Sequence, residues 1–122
     1  MNALVIDDSR AIRLILGRML RDLGFEVDEA TNGRQALACL EVGLTPDLVL
    51  VDWNMPEMSG IDFVTAVRQP PYSSTARVMM VTTETEMPQM VRALEAGADE
   101  YVMKPFTREA IVEKLQLLGF EV

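Results

Sequence analysis

Three aspartates, a threonine and a lysine stand where they could act together. Asp7 and Asp8 follow the apolar run Asn2-Ala3-Leu4-Val5-Ile6, and Asp52 follows Leu48-Val49-Leu50-Val51. Thr82 follows Arg77-Val78-Met79-Met80-Val81, and Lys104 follows Tyr101-Val102-Met103. Each run reads as a strand, and in open α/β sheets the crevice beyond the carboxyl ends of the strands is where ligands bind. Two bare carboxylates about 4 Å apart repel by about 4 kcal/mol at an effective dielectric near 20. Either one is protonated or a cation lies between them. A donor set of oxygens selects a hard ion, most naturally Mg²⁺, which keeps several waters and takes one or two carboxylates plus a phosphate oxygen. A carboxylate ionised beside that ion can attack a phosphoryl group and form an aspartyl phosphate. Charge on the three equatorial oxygens then needs donors: the metal, Lys104 and the Thr82 hydroxyl.

Taken singly, each residue has a plainer reading. An Asp after a strand usually caps a turn or helix, a lone Lys is a solvated charge, and a lone Thr is a strand-end residue. Their joint occurrence, in order after the first, third, fourth and fifth strands, points to a site. The chain has no histidine, which removes the commonest general base and metal ligand together. Any chemistry must run on carboxylates, lysine, hydroxyls or a hard metal. A net charge of −8 argues against a nucleic-acid partner, whose phosphates need a basic stripe. The single Cys39 excludes an internal disulfide and a multi-cysteine zinc site. No apolar run approaches the roughly 20 residues that span a bilayer, so no membrane association is expected. With no basic, cleavable N-terminal segment, a cytoplasmic location is expected.

Positioning these groups requires five βα units. The 122 residues suit one domain, residues 1–122, with a core of its own. Ser9 is placed to cap a first helix with Ile12, Ile15, Leu16, Met19 and Leu23 on one face, ended by Gly24. Phe25 to Ala30 alternates as an outer strand, and Asn32 can cap a helix bearing Ala36, Leu37 and Leu40. Gly43 and Pro46 mark the turn into the central strand, and Pro56 forces the chain out of it. Ser59 or Gly60 opens a third helix through Phe63, Val64 and Val67. Met87, Met90, Val91 and Leu94 form the apolar stripe of a fourth, with Pro88 tolerable in its first turn. Thr107 caps a last helix with Ile111, Leu115 and Leu118 inward. The nine methionines are expected largely on helix faces as core filling. Right-handed crossovers then give an α/β fold, a doubly wound, five-stranded parallel sheet in the flavodoxin-like order 2-1-3-4-5 with five helices.

The chain resembles the receiver domain of two-component response regulators, and among them the stand-alone chemotaxis type. The likeness covers the whole chain. It rests on Asp7-Asp8, Asp52-Trp53-Asn54-Met55-Pro56, Ser59-Gly60, Val81-Thr82, Gly97-Ala98-Asp99-Glu100-Tyr101 and Lys104-Pro105-Phe106. It implies Asp52 as phosphoacceptor, Asp8 as direct Mg²⁺ ligand, Asp7 as a weaker or water-mediated one, and the Asn54 main-chain carbonyl as another. Thr82 and Lys104 would contact the phosphoryl group, and Tyr101 would be the aromatic that turns inward as Thr82 moves. Asn54 and Glu84 occupy the positions that tune phosphoryl lifetime, and Lys104-Pro105 is expected to be cis. The donor would be a separate histidine kinase or phosphotransfer protein. The output partner would bind the face of the fourth helix, fifth strand and fifth helix. Thr83 stands where alanine is typical, and Glu86-Met87 where the motor-binding regulator carries a basic pair. A phosphate sink or relay intermediate is the alternative within this class.

The rival from the enzymes is a small Mg²⁺-dependent phosphohydrolase with an aspartyl nucleophile. That class places an Asp-x-Asp after its first strand, whereas this chain has Asp7-Asp8-Ser9-Arg10. A flavodoxin-like carrier would need a glycine- and hydroxyl-rich phosphate loop there instead.

Overall fold

A computed structural model describes residues 1–83 and 87–122. Its elements alternate strictly: β1 (Asn2–Ile6), α1 (Arg10–Asp22), β2 (Glu26–Ala30), α2 (Gly33–Glu41), β3 (Leu48–Asp52), α3 (Gly60–Arg68), β4 (Arg77–Thr82), α4 (Met87–Ala96), β5 (Glu100–Met103) and α5 (Arg108–Leu117). The strands form one parallel sheet in the order β2-β1-β3-β4-β5, as the alternating periodicity predicts.

The three inner strands are apolar between their ends, at Ala3–Ile6, Leu48–Val51 and Val78–Val81, because both faces of the sheet are covered. Leu4, Ile6, Val49, Val51, Val78 and Met80 face a cluster with Ala36, Phe63, Val64 and Ala93 from α2, α3 and α4. Their neighbours Val5, Leu48, Leu50, Met79 and Val81 face Leu16 and Leu20 of α1 and Ile111 and Leu115 of α5. Four helices begin at hydroxyl or amide caps: Ser9, Asn32, Ser59 and Thr107 accept from the backbone N–H of Ile12, Gln35, Asp62 and Ala110. Each cap satisfies an otherwise orphaned donor, a contribution of about 1 kcal/mol.

Two expectations about helix faces are corrected. Ile15 of α1 and Val91 and Leu94 of α4 are 44–47% exposed. α4 buries Met90 and Ala93, so among the stripe residues whose side chains are described, Met90 alone is covered. The methionines are not mainly helical. Met79 and Met80 are fully buried on β4, Met90 is the one buried residue among those on helices described with side chains, and Met1 and Met103 are exposed.

A cation from α3 locks the sheet end opposite the carboxylates. Arg68 donates to the carbonyls of Ser74, Ala76 and Gly97 and to Asp99 Oδ2 at 2.9 Å. Asp99 Oδ2 also accepts from the Val78 N–H. The Gly97 and Asp99 of the Gly-Ala-Asp-Glu-Tyr segment therefore serve the scaffold. At the other end, the Gly60 N–H donates to the Trp53 carbonyl at 2.9 Å. A Cβ at Gly60 would lie 2.5 Å from the Asp52 carbonyl oxygen and 2.6 Å from Met80 Cε. Met80 could swing away, but the strand backbone cannot. Gly60→Ala should therefore lower stability by about 1–3 kcal/mol, read from urea unfolding at unchanged m-value. A wild-type midpoint would show that α3 does not press on the end of β3.

Candidate functional site

Strand register gathers the acids. Ile6 lies beside Val51, and Asp52 beside Val81, so the residues after β1 meet the last residue of β3. Asp7 and Asp52 are buried, Asp8 is exposed, and one carboxylate oxygen from each lies within 4.8 Å of the others. Lys104 arrives because β5 runs parallel to β4, and its N–H donates to the Thr82 carbonyl at 2.8 Å. Its Nζ then sits 3.2 Å from Asp7 Oδ2 and 3.3 Å from Asp52 Oδ1. Thr82 is buried one position beyond Val81, the register partner of Asp52.

Two contacts set the direction of Asp7. Its Oδ1 accepts from the Ser9 N–H at 2.9 Å, and its carbonyl accepts from Arg13 Nη1 at 2.7 Å. Arg13 is itself held by Glu29 at 3.2 Å. In the sequence Arg13 looks like any charge on an amphipathic helix, and its role appears only with α1 placed beside the end of β1.

Asn54 is exposed in the loop after β3, and its backbone N–H donates to the Asp52 carboxylate. Tyr101 is half-buried on β5, one strand beyond Thr82 and outside the acid cluster. The Lys104–Pro105 bond is cis, as the resemblance implied. Glu84 and Glu86 lie outside the described residues. Thr83 is exposed and borders, with Lys104, Pro105, Phe106, Ile12, Ile15 and Met19, a mainly apolar hollow of about 370 Å³.

The charges do not balance. Three carboxylates face one ammonium, leaving −2 when all are ionised. Burial, and then the neighbouring Asp7 charge, raise the Asp52 carboxyl above its ordinary value of 3.8, and Lys104 offsets this only in part. Burial pulls the Lys104 ammonium down, but attraction to Asp52 and Asp7 and its hydrogen bonds to both outweigh this and hold it above 10.5. Oxygen donors carrying a charge of −2 fit a hard divalent cation such as Mg²⁺.

The response regulator receiver domain family matches residues 3–116. This chain belongs to that family. The receiver is 42% identical to the chemotaxis protein CheY of Pseudomonas aeruginosa, over 95% of this chain and 94% of that protein. It is 39% identical to CheY1 of Helicobacter pylori strain 26695, over 97% and 96%. Its fold superposes on the chemotaxis response regulator CheY4 of Vibrio cholerae with a TM-score of 0.88 at 36% identity, covering 96% of this chain and 97% of that one.

The raised carboxyl makes a stability prediction. Folded Asp52 holds its proton more tightly than unfolded Asp52, so its contribution is fully present below pH 3.8 and is lost as pH rises through the folded value. At pH 7 its charge costs the receiver stability. Asp52→Asn keeps an acceptor for Lys104 and removes that charge. In metal-free buffer at pH 7 it should therefore stabilise by on the order of 1 kcal/mol, about 4 °C in Tm for a domain of this size. A divalent cation taken up by the three carboxylates would favour the folded wild type over the variant, so millimolar Mg²⁺ should shrink or reverse the difference. A lower Tm for the variant without metal would contradict the repulsion.

Proposed function

We propose that this chain works as a single-domain chemotaxis response regulator, residues 1–122, that takes a phosphoryl group onto Asp52 and changes its affinity for an output partner. The observation that carries this reading is Lys104 Nζ bridging the buried Asp7 and Asp52 at the carboxyl ends of two adjacent strands.

Asp52 Oδ attacks the phosphorus of a donor phosphohistidine; the new O–P bond forms as the P–N bond breaks, and the imidazole nitrogen leaves with the electron pair. The chain has no histidine, so the donor is a separate histidine kinase or phosphotransfer protein. The apolar hollow beside Lys104 offers that donor a foothold near Asp52. Lys104 neutralises a phosphoryl oxygen, and the Thr82 hydroxyl donates to another. Asp8, Asp52, the Asn54 main-chain carbonyl and, more weakly, Asp7 would hold Mg²⁺. When bound, that ion supplies positive charge to the phosphoryl oxygens. Asn54 and Glu84 tune how quickly water removes the group, which makes the loss self-catalysed.

Output follows from the neighbouring strands. Thr82 moves toward the phosphoryl group, Tyr101 turns into the vacated space, and the face of α4, β5 and α5, including Arg92, Glu95 and Lys114, changes shape. The group acts on a distant partner only through its differential affinity for two such states. The acidic surface suits a protein partner in the cytoplasm rather than nucleic acid or lipid.

Incubation with acetyl phosphate and Mg²⁺, followed by peptide mass mapping, tests the acceptor. Wild type should carry one phosphoryl group on the peptide containing Asp52, and Asp52→Ala should carry less than a tenth as much. Equal labelling of the variant would remove the assignment.

A further inference from the structure

We propose that Lys114 is a positioning residue that holds Tyr101 in its resting place from across the edge of the sheet, an inference that rests on the reading of Tyr101 as the switch aromatic. α5 packs on one face of the sheet through Ile111 and Leu115, beside Val102. Tyr101 packs on the other face, in the cluster that contains Met80 and Ala93. β5 is the outermost strand, so a long side chain can pass around its free edge. Lys114 does so, and its Nζ lies 4.9 Å from the centre of the Tyr101 ring.

The ammonium is anchored as well as placed. It sits 3.1 Å from Glu100 Oε1, and the same oxygen accepts from the Tyr101 N–H at 3.0 Å. Glu100 thus ties the cation to the backbone of the residue whose ring it covers. Glu100 and Lys114 are both more than 70% buried at their side chains, so the contact is better shielded than an open surface pair. An ammonium over the face of an aromatic ring is attracted by its quadrupole. Any inward turn of Tyr101 must break that attraction, while the Lys114–Glu100 pair can remain. Lys114 therefore biases the aromatic toward rest, and phosphorylation must overcome the bias.

The chain has two tyrosines, so ring-¹³C-tyrosine NMR on the full chain reads both. Tyr72, hydrogen-bonded to Glu41, is the internal control. Wild type is recorded before and after acetyl phosphate with Mg²⁺, which defines the direction in which Tyr101 moves. Unphosphorylated Lys114→Met should shift Tyr101 in that direction, with a two- to fivefold rise in the inward-to-resting ratio. Lys114→Arg should restore the wild-type position, Glu100→Gln should give a smaller shift of the same sign, and Tyr72 should not move. A wild-type Tyr101 spectrum in Lys114→Met, or an equal shift in Lys114→Arg, would overturn the proposal. If Lys114→Met does not fold, Glu100→Gln decides it, and an unmoved Tyr101 there would overturn it. If phosphorylation leaves wild-type Tyr101 in place, the switch reading falls; a Tyr101 shift in unphosphorylated Lys114→Met, reversed in Lys114→Arg, would still support the hold itself.

Discussion

Mutual repulsion of three carboxylates at the ends of β1 and β3 is the constraint around which the site is organised. The fold imposes it. Parallel strands in register bring Asp7 beside Asp52, and burial removes the water that would screen them. Lys104 relieves part of the repulsion by touching both. One ammonium cannot balance three acids, so the cluster keeps an appetite for positive charge. That unmet charge makes a metal-assisted phosphoryl site chemically reasonable where a cluster of neutral side chains would not.

The same strands carry the consequences outward. Lys104 is tied to the Thr82 carbonyl, Thr82 is adjacent in register to the end of β3, and Tyr101 lies across from Met80 on β4. A charge change at Asp52 therefore bears on two strands that lead directly to the α4 and α5 surfaces. Arg68 and Asp99 secure the opposite end of those strands.

Much of this was legible in the residues because it is local. Caps at Ser9, Asn32, Ser59 and Thr107 are decided within one helical turn. An unbroken apolar strand such as Leu48–Val51 declares that both its faces are covered, which sets the layers, while the order β2-β1-β3-β4-β5 is one of several that right-handed crossovers allow. The acids were legible because strand ends were. What could not be read depends on residues distant in sequence. The Arg13 contact with the Asp7 carbonyl, the four-way hold of Arg68 and the reach of Lys114 around β5 each need two or three elements placed first. The exposure of Val91 and Leu94 has the same origin, since a 3-4-3 stripe records amphipathicity and not how much of it a neighbour covers.

Magnesium titration at pH 7 and low salt, followed by the fluorescence of Trp53 next to Asp52, tests the charge imbalance most directly. Wild type should show a saturable change. Asp8→Ala should bind at least tenfold more weakly, because a ligand and a unit of charge are lost. Lys104→Met should bind more tightly, because the ammonium that competes for Asp7 and Asp52 is gone. Wild-type affinity in Asp8→Ala, or weaker binding in Lys104→Met, would contradict an acid cluster whose excess charge draws the cation.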